Sequence, residues 1–178
     1  MKQLLPYAPG ADQIEIRGHL TRVEHQLTVE FSLHDPRRQV LDALHPGVWK
    51  NWERGDDLWK TTCFEIFFAV RDQSAYWEFN FSPAKLKWNL YFFDSYRSPQ
   101  PPRRSNDFEL SEIKMTADSI ICKLDSDVLV DAFEANLCAV IRTKKGISYY
   151  AFQHGSDKPD FHNRKCFLKE AQDDGAQN

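Results

Sequence analysis

Cys63-Phe64-Glu65-Ile66-Phe67-Phe68, Tyr76-Trp77-Glu78-Phe79-Asn80-Phe81 and Leu86-Lys87-Trp88-Asn89-Leu90-Tyr91-Phe92-Phe93 follow one another along the chain. Turn residues punctuate them: Asp72-Gln73-Ser74 after the first and Ser82-Pro83-Ala84 after the second. Aromatic and β-branched residues at this density favour strands. Connections this short cannot hold a crossover helix, so the three runs predict consecutive antiparallel strands. The period of two then sorts their faces. Phe64, Ile66 and Phe68 share a face with Trp77, Phe79, Phe81, Trp88, Leu90 and Phe92, which reads as core. The opposite face carries Glu65, Glu78, Asn80, Asn89 and Tyr91.

The same alternation extends outward. Ile14, Ile16 and Gly18 open an early strand. Leu27, Val29, Phe31 and Leu33 then alternate with Thr28, Glu30 and Ser32 until Asp35-Pro36 stops the run. Downstream of Ser98-Pro99-Gln100-Pro101-Pro102-Arg103-Arg104, read as an extended linker, come four more strands: Phe108 to Met115, Ser119 to Leu124, Asn136 to Arg142 and Ile147 to Phe152. Helical turns are expected only near Gln39 to Leu44 and between Asp125 and Phe133. About nine short strands with almost no helix predict an all-β antiparallel sandwich, immunoglobulin-like or jelly-roll in kind. Residues 1–170 read as a single domain and 171–178 as a polar tail.

Of the 178 residues, 42% are hydrophobic and 28% charged, the balance of a globular domain. A formal net charge of −3 offers no electrostatic footprint for nucleic acid. Gly10, Asp12, Glu15 and Arg17 break up the start of the chain before a signal peptide's apolar core could form, and no run is long enough for a membrane helix. Cys63, Cys122, Cys138 and Cys166 form no CxxC pair, and two of them sit inside apolar runs. Buried free thiols in a reducing compartment are therefore expected, and with them a cytoplasmic location.

Carboxylates and amides interleaved with rings suit a polyhydroxylated ligand. Hydroxyls need donors and acceptors, and the apolar face of a sugar ring stacks on an aromatic one. An ordinary solvated sheet face is the competing reading. Trp49, Trp52 and Trp59 lie in or beside a long loop over residues 36–57. They either cover the sandwich edge, line a binding slot or dock a protein partner. Arg97, at a strand end, suits a clamp on the ligand or an ion pair. His154-Gly155-Ser156-Asp157-Lys158-Pro159-Asp160-Phe161-His162 gathers two histidines and two aspartates in one loop. His154, Asp160 and His162 read as loop anchors, ligand contacts or, least simply, metal ligands. Glu65 and Glu78 also form a carboxyl pair of the type glycoside hydrolysis uses, although nothing in the sequence sets their separation. No nucleophile elbow, phosphate loop or zinc-protease motif is present.

Leu58-Trp59-Lys60-Thr61-Thr62-Cys63-Phe64-Glu65-Ile66-Phe67-Phe68, Tyr76-Trp77-Glu78-Phe79-Asn80-Phe81-Ser82-Pro83, Trp88-Asn89-Leu90-Tyr91 through Tyr96-Arg97, and Lys158-Pro159-Asp160-Phe161-His162 together resemble the bacterial DOMON-like proteins related to family 9 carbohydrate-binding modules. The resemblance spans roughly residues 10–170. It implies a β-sandwich that binds a small molecule or carbohydrate, and it points to Glu65, Glu78, Asn80 and Arg97. Sugar modules of that family are exported beside a catalytic domain, a pattern this chain does not match. Haem-binding DOMON domains use an axial Met and His. Here the internal Met115 has no obvious His partner, so no haem is expected. A structural calcium ion stays open. The expectation is a non-catalytic binding module, with protein docking or sugar chemistry at Glu65 and Glu78 as alternatives.

Overall fold

The computed structural model describes residues 1–8, 13–41, 44–49, 52–128 and 132–169. Those residues form 14 strands arranged as two packed sheets. The first sheet runs β4 (Gly47–Trp49), β10 (Glu109–Met115), β11 (Ser119–Asp125), β3 (Gln26–His34), β2 (Glu15–Val23) and β1 (Lys2–Pro6). The second runs β1, β13 (Gly146–Ala151), β12 (Phe133–Thr143), β6 (Cys63–Val70), β7 (Tyr76–Ser82), β8 (Lys87–Phe93) and β5 (Glu53–Arg54). β9 (Arg103–Arg104) adds to β8, and β14 (Leu168–Lys169) adds to β12. All named pairings are antiparallel except β5 with β8.

β1 belongs to both sheets. Lys2, Gln3 and Leu4 pair with β2, while Leu5 and Pro6 pair with β13. At the opposite side, the segment that begins as β4 against β10 continues to β5 against β8. The outer edge of β8 is shared: β5 takes Lys87 and Trp88, and β9 takes Tyr91 and Phe92.

The antiparallel sandwich and the nine long strands match the sequence reading. The five others, β1, β4, β5, β9 and β14, are too short to show a period. The strand expected from Leu58 begins at Cys63, after a 3-10 turn at Leu58–Lys60. The linker through Arg104 ends in β9. No helix forms among described residues of 36–44; Val40 bridges to Thr143 instead. Much of the turn expected between Asp125 and Phe133, and the polar tail, lie outside the described residues.

Between the sheets, Phe31 of β3 packs on Phe64 and Phe81, with ring centroids 5.1 and 6.0 Å apart. Ile66, Phe79, Leu90, Ile113, Cys122 and Leu137 fill the same layer. The sheets approach so closely at Gly18 that a Cβ there would stand 2.7 Å from Leu137 Cδ1. β3 is buried on alternate residues, whereas every residue of β7, and all of β6 except Val70, is buried. Something therefore covers the outer face of the second sheet too. It is a separate apolar cluster of Phe67, Tyr76, Phe93, Val140, Phe161 and Phe167, with Leu58 and Cys138.

Candidate functional site: a cleft over the outer face of the second sheet

Strand register assembles the site. Cys138, Glu65, Asn80 and Asn89 lie opposite one another across β12, β6, β7 and β8. The next row is Asn136, Phe67, Glu78, Tyr91 and Arg104, ending on β9. Glu65 and Glu78 are thus diagonal neighbours on one surface.

The chain from His154 to Phe167 lies over one half of this surface. Phe161 and Phe167 set their rings 6.1 and 6.3 Å from Phe67. His162 inserts edge-on among Phe67, Tyr76 and Phe93. Arg164 fastens the segment: Nη1 donates to the Gln73 carbonyl at 2.8 Å and Nη2 to Glu134 Oε2 at 3.3 Å. Gly155 permits the tight return, because a Cβ there would meet Cys166 Sγ at 2.7 Å. Beside this cover a cleft of about 610 Å³ remains open. Trp59, Phe67, Tyr91, Phe93, Tyr149 and Phe161 form its apolar walls. Glu65, Glu78, Arg97, Arg104, Asp56 and His162 supply polar groups.

Glu65 is 3% exposed, and its Oε1 meets no hydrogen-bond partner. Burial, followed by the charge of Glu78, holds its carboxyl well above the usual range. Burial likewise raises Glu78 to about 7, against the opposing hydrogen bond from Asn80 and the charge of Arg97. Asn80 Nδ2 donates to Glu78 Oε1 at 2.6 Å. The other oxygen lies 3.7 Å from His162 Nε2, beyond hydrogen-bond length.

His162 joins a short relay. The Arg97 backbone N–H donates to Tyr76 Oη at 3.0 Å. Tyr76 Oη lies 2.8 Å from His162 Nδ1, and where it donates there the ring proton sits on Nε2, facing Glu78. Burial and the charge of Arg97 lower His162 to about 4, so the ring is neutral across the physiological range. Burial also raises Tyr76 to about 12.

The rim cations are engaged. Arg97 Nη2 donates to Asp160 Oδ1 at 2.9 Å, and Tyr96 donates to the other Asp160 oxygen at 2.9 Å. Burial alone would raise Asp160, but these bonds outweigh it and lower its pKa. Arg104 pairs with Asp56. Asp56 also accepts from Tyr91 at 2.8 Å and from Asn89 at 2.9 Å, and these bonds hold its carboxyl low.

Of the residues singled out in the sequence, Trp59, Glu65, Glu78, Tyr91, Arg97 and His162 line the cleft. Asn80, Asn89 and Asp160 stand behind it, each orienting a lining residue. Asn89 is fully buried, held by Arg54, which itself lies 3.9 Å over the Trp88 ring. Three residues go elsewhere. Trp52 is in the inter-sheet core, where its carbonyl accepts from Trp88 Nε1 at 2.9 Å; Trp49 packs against that core. His154 Nε2 lies 2.8 Å from the Leu5 carbonyl. His154, Asp160 and His162 therefore have separate partners and do not converge. No group of three or more metal-ligating side chains occurs among the described residues. Asp56, Arg104, Tyr76, Phe161 and Tyr149 were missed. Arg104 comes from the two-residue β9, Asp56 from the turn after β5 and Phe161 from the covering chain, none of which carries a strand period; Tyr76 and Tyr149 stand on β7 and β13.

No protein-family model and no curated protein matches the chain. Among solved structures, the fold is similar to that of a protein from Bacteroides uniformis described as a "putative carbohydrate-binding protein". The TM-score is 0.65 at 11% identity, over 94% of this chain and 84% of that one. At that identity the likeness supports the sandwich fold.

Proposed function

We propose that this protein is a non-catalytic binding module whose cleft takes a carbohydrate or a sugar-containing metabolite. The observation that carries this reading is the cleft itself. Ring-bearing walls stand over a floor of two buried carboxyl groups whose pKa burial raises, Glu78 to about 7, so the floor can donate as well as accept hydrogen bonds. The resemblance to DOMON-like and family 9 carbohydrate-binding proteins and the description of the Bacteroides structure point the same way. Four buried free cysteines support a reducing, cytoplasmic setting. Docking of a protein on a tryptophan patch draws no support, because two of the three loop tryptophans face the core and only Trp59 is exposed.

A sugar-active enzyme is the second reading. Glu78, raised to about 7, is the observation that favours it. A thermal-shift and calorimetric screen of mono- and disaccharides tests binding. A ligand at a hundred times its Kd adds about 2.7 kcal/mol of stability. The expected result is a raised Tm that Trp59→Ala weakens. No shift at millimolar concentration for any sugar refutes the reading. Turnover of aryl glycosides that Glu78→Gln abolishes would establish the enzyme instead.

A further inference from the structure

The polar groups of the cleft do not balance. Among the described lining residues, Asp56, Asp57, Glu65 and Glu78 are acidic, and Arg97 and Arg104 are basic. Arg104 is paired with Asp56, and Arg97 with Asp160. Asp57 is paired with Lys60 at 2.7 Å. That leaves Glu65 and Glu78, side by side at the deep end, with no cationic partner. Glu65 Oε1 is buried and unbonded. His162, the nearest basic group to Glu78, is neutral and beyond hydrogen-bond length. The other titratable groups around the pair are Cys63, Tyr76, Tyr91 and Cys138 on the sheet, with Arg97 and Asp160 above. Cys63 hydrogen-bonds Glu65 through a neutral thiol, and no cation reaches it.

An unpaired buried carboxyl is an expensive feature to hold in a fold, because it must either keep a charge out of water or keep a proton it would otherwise lose. A ligand can be that partner. Around the floor stand Phe67, Phe93, Phe161, Tyr91, Tyr149 and Trp59, and aromatic faces attract cations. A quaternary ammonium has no N–H to give the free carboxyl oxygen; a primary ammonium has three.

We propose that the cleft selects ligands bearing a primary ammonium group, an amino sugar foremost, with the ammonium seated between Glu65 and Glu78. The proposal rests on the carbohydrate reading above and narrows it. On binding, the ligand's R–NH3⁺ replaces a carboxyl proton: Glu–COOH becomes Glu–COO⁻, and one proton passes to the buffer. The ammonium keeps all three of its own.

The test compares glucosamine, galactosamine and mannosamine with glucose, galactose and mannose, with N-acetylglucosamine and with putrescine, by calorimetry. Running it in phosphate and in MOPS reports the proton count. At least one amino sugar should bind tenfold or more tighter than its neutral counterpart and release about one proton at pH 6.5. Its affinity should fall up to about tenfold per pH unit below 7, because the carboxyl must ionise first. Acetylation of the amine should remove the gain. Glu65→Gln and Glu78→Gln made together should abolish both the preference and the proton release, with Tm confirming that the double variant folds. The wild-type proton count stands independently of it. Equal binding of amino and neutral sugars overturns the ammonium proposal and leaves the carbohydrate reading intact. Binding of putrescine but of no sugar supports the ammonium seat and refutes the carbohydrate reading. If none binds at millimolar concentration, both fall.

Discussion

The two sheets of this sandwich are built from similar alternating strands, yet their outer faces have opposite fates. In the first sheet, β2 and β3 turn Arg17, His19, Thr28, Glu30 and Ser32 outward to water or half-exposed positions. In the second, β6 and β7 turn Glu65, Glu78 and Asn80 outward and these residues are nonetheless buried. The difference is the chain from His154 to Phe167, which covers only the second sheet. A polar residue on a solvated face carries little information. A buried one must be explained by a partner or a use. The contrast marks one outer face as scaffold surface and the other as a site.

The largest expected effect comes from stripping the cover. Phe67 holds Phe161, His162 and Phe167. Phe67→Ala should cost about 3–5 kcal/mol. It should also open residues 154–167 to limited proteolysis before the rest of the sandwich yields. Loss of stability without preferential cleavage there would mean that the cover is not a separable layer.

An intermediate effect should appear in the pH dependence. Glu78 has its proton affinity raised on folding, from 4.5 to about 7, so its contribution is present at low pH and lost as pH rises through that window. His162 is lowered on folding, from 6.5 to about 4, so its contribution is lost as pH falls from 6.5 to 4. The two oppose each other at acid pH, and above 6.5 the opposition from His162 is gone, leaving Glu78 and the likewise raised Glu65. Glu78→Gln should therefore gain on the wild type between pH 5 and pH 8, by up to about 3 kcal/mol, readable in paired melting curves. A constant difference across that range would return Glu78 to the behaviour of an exposed group.

The smallest effect belongs to the first sheet. Glu30→Gln, in the middle of β3, should change stability by less than about 0.5 kcal/mol, as measured by denaturant unfolding. A change at Glu30 as large as that at Glu78 would erase the contrast between the faces.

The legible part of this molecule is the part governed by period. Alternation placed Glu65, Glu78, Asn80, Asn89 and Tyr91 on one face, and the observed register brings them into adjacent rows. The same alternation cannot tell a wet face from a covered one, because the pattern of Tyr76 to Ser82 is identical in either case. The cover is built from a loop in which Phe161 and Phe167 are spaced by no strand or helix period. Arg104 and Asp56 meet only because β9 and the residues after β5 converge on β8, and two-residue strands leave no trace in sequence. Trp49 and Trp52 stayed open between edge cover and slot, because a tryptophan-rich loop is ambiguous between filling and lining.

Those tryptophans bear on a different property, colloidal behaviour. A sandwich of two open sheets ordinarily presents four edge strands, and bare edges recruit other chains into shared sheets. Here β1 joins two of the edges. The segment from β4 to β5 occupies the other two, with Trp49 and Trp52 burying their rings to hold it in place. What remains outermost there is three residues of β4 and two of β5, with β9 beside them. Such short lengths template strand addition poorly. Loosening this seam, by replacing Trp52 for instance, would bare the long flanks of β10 and β8 and turn the fold toward aggregation.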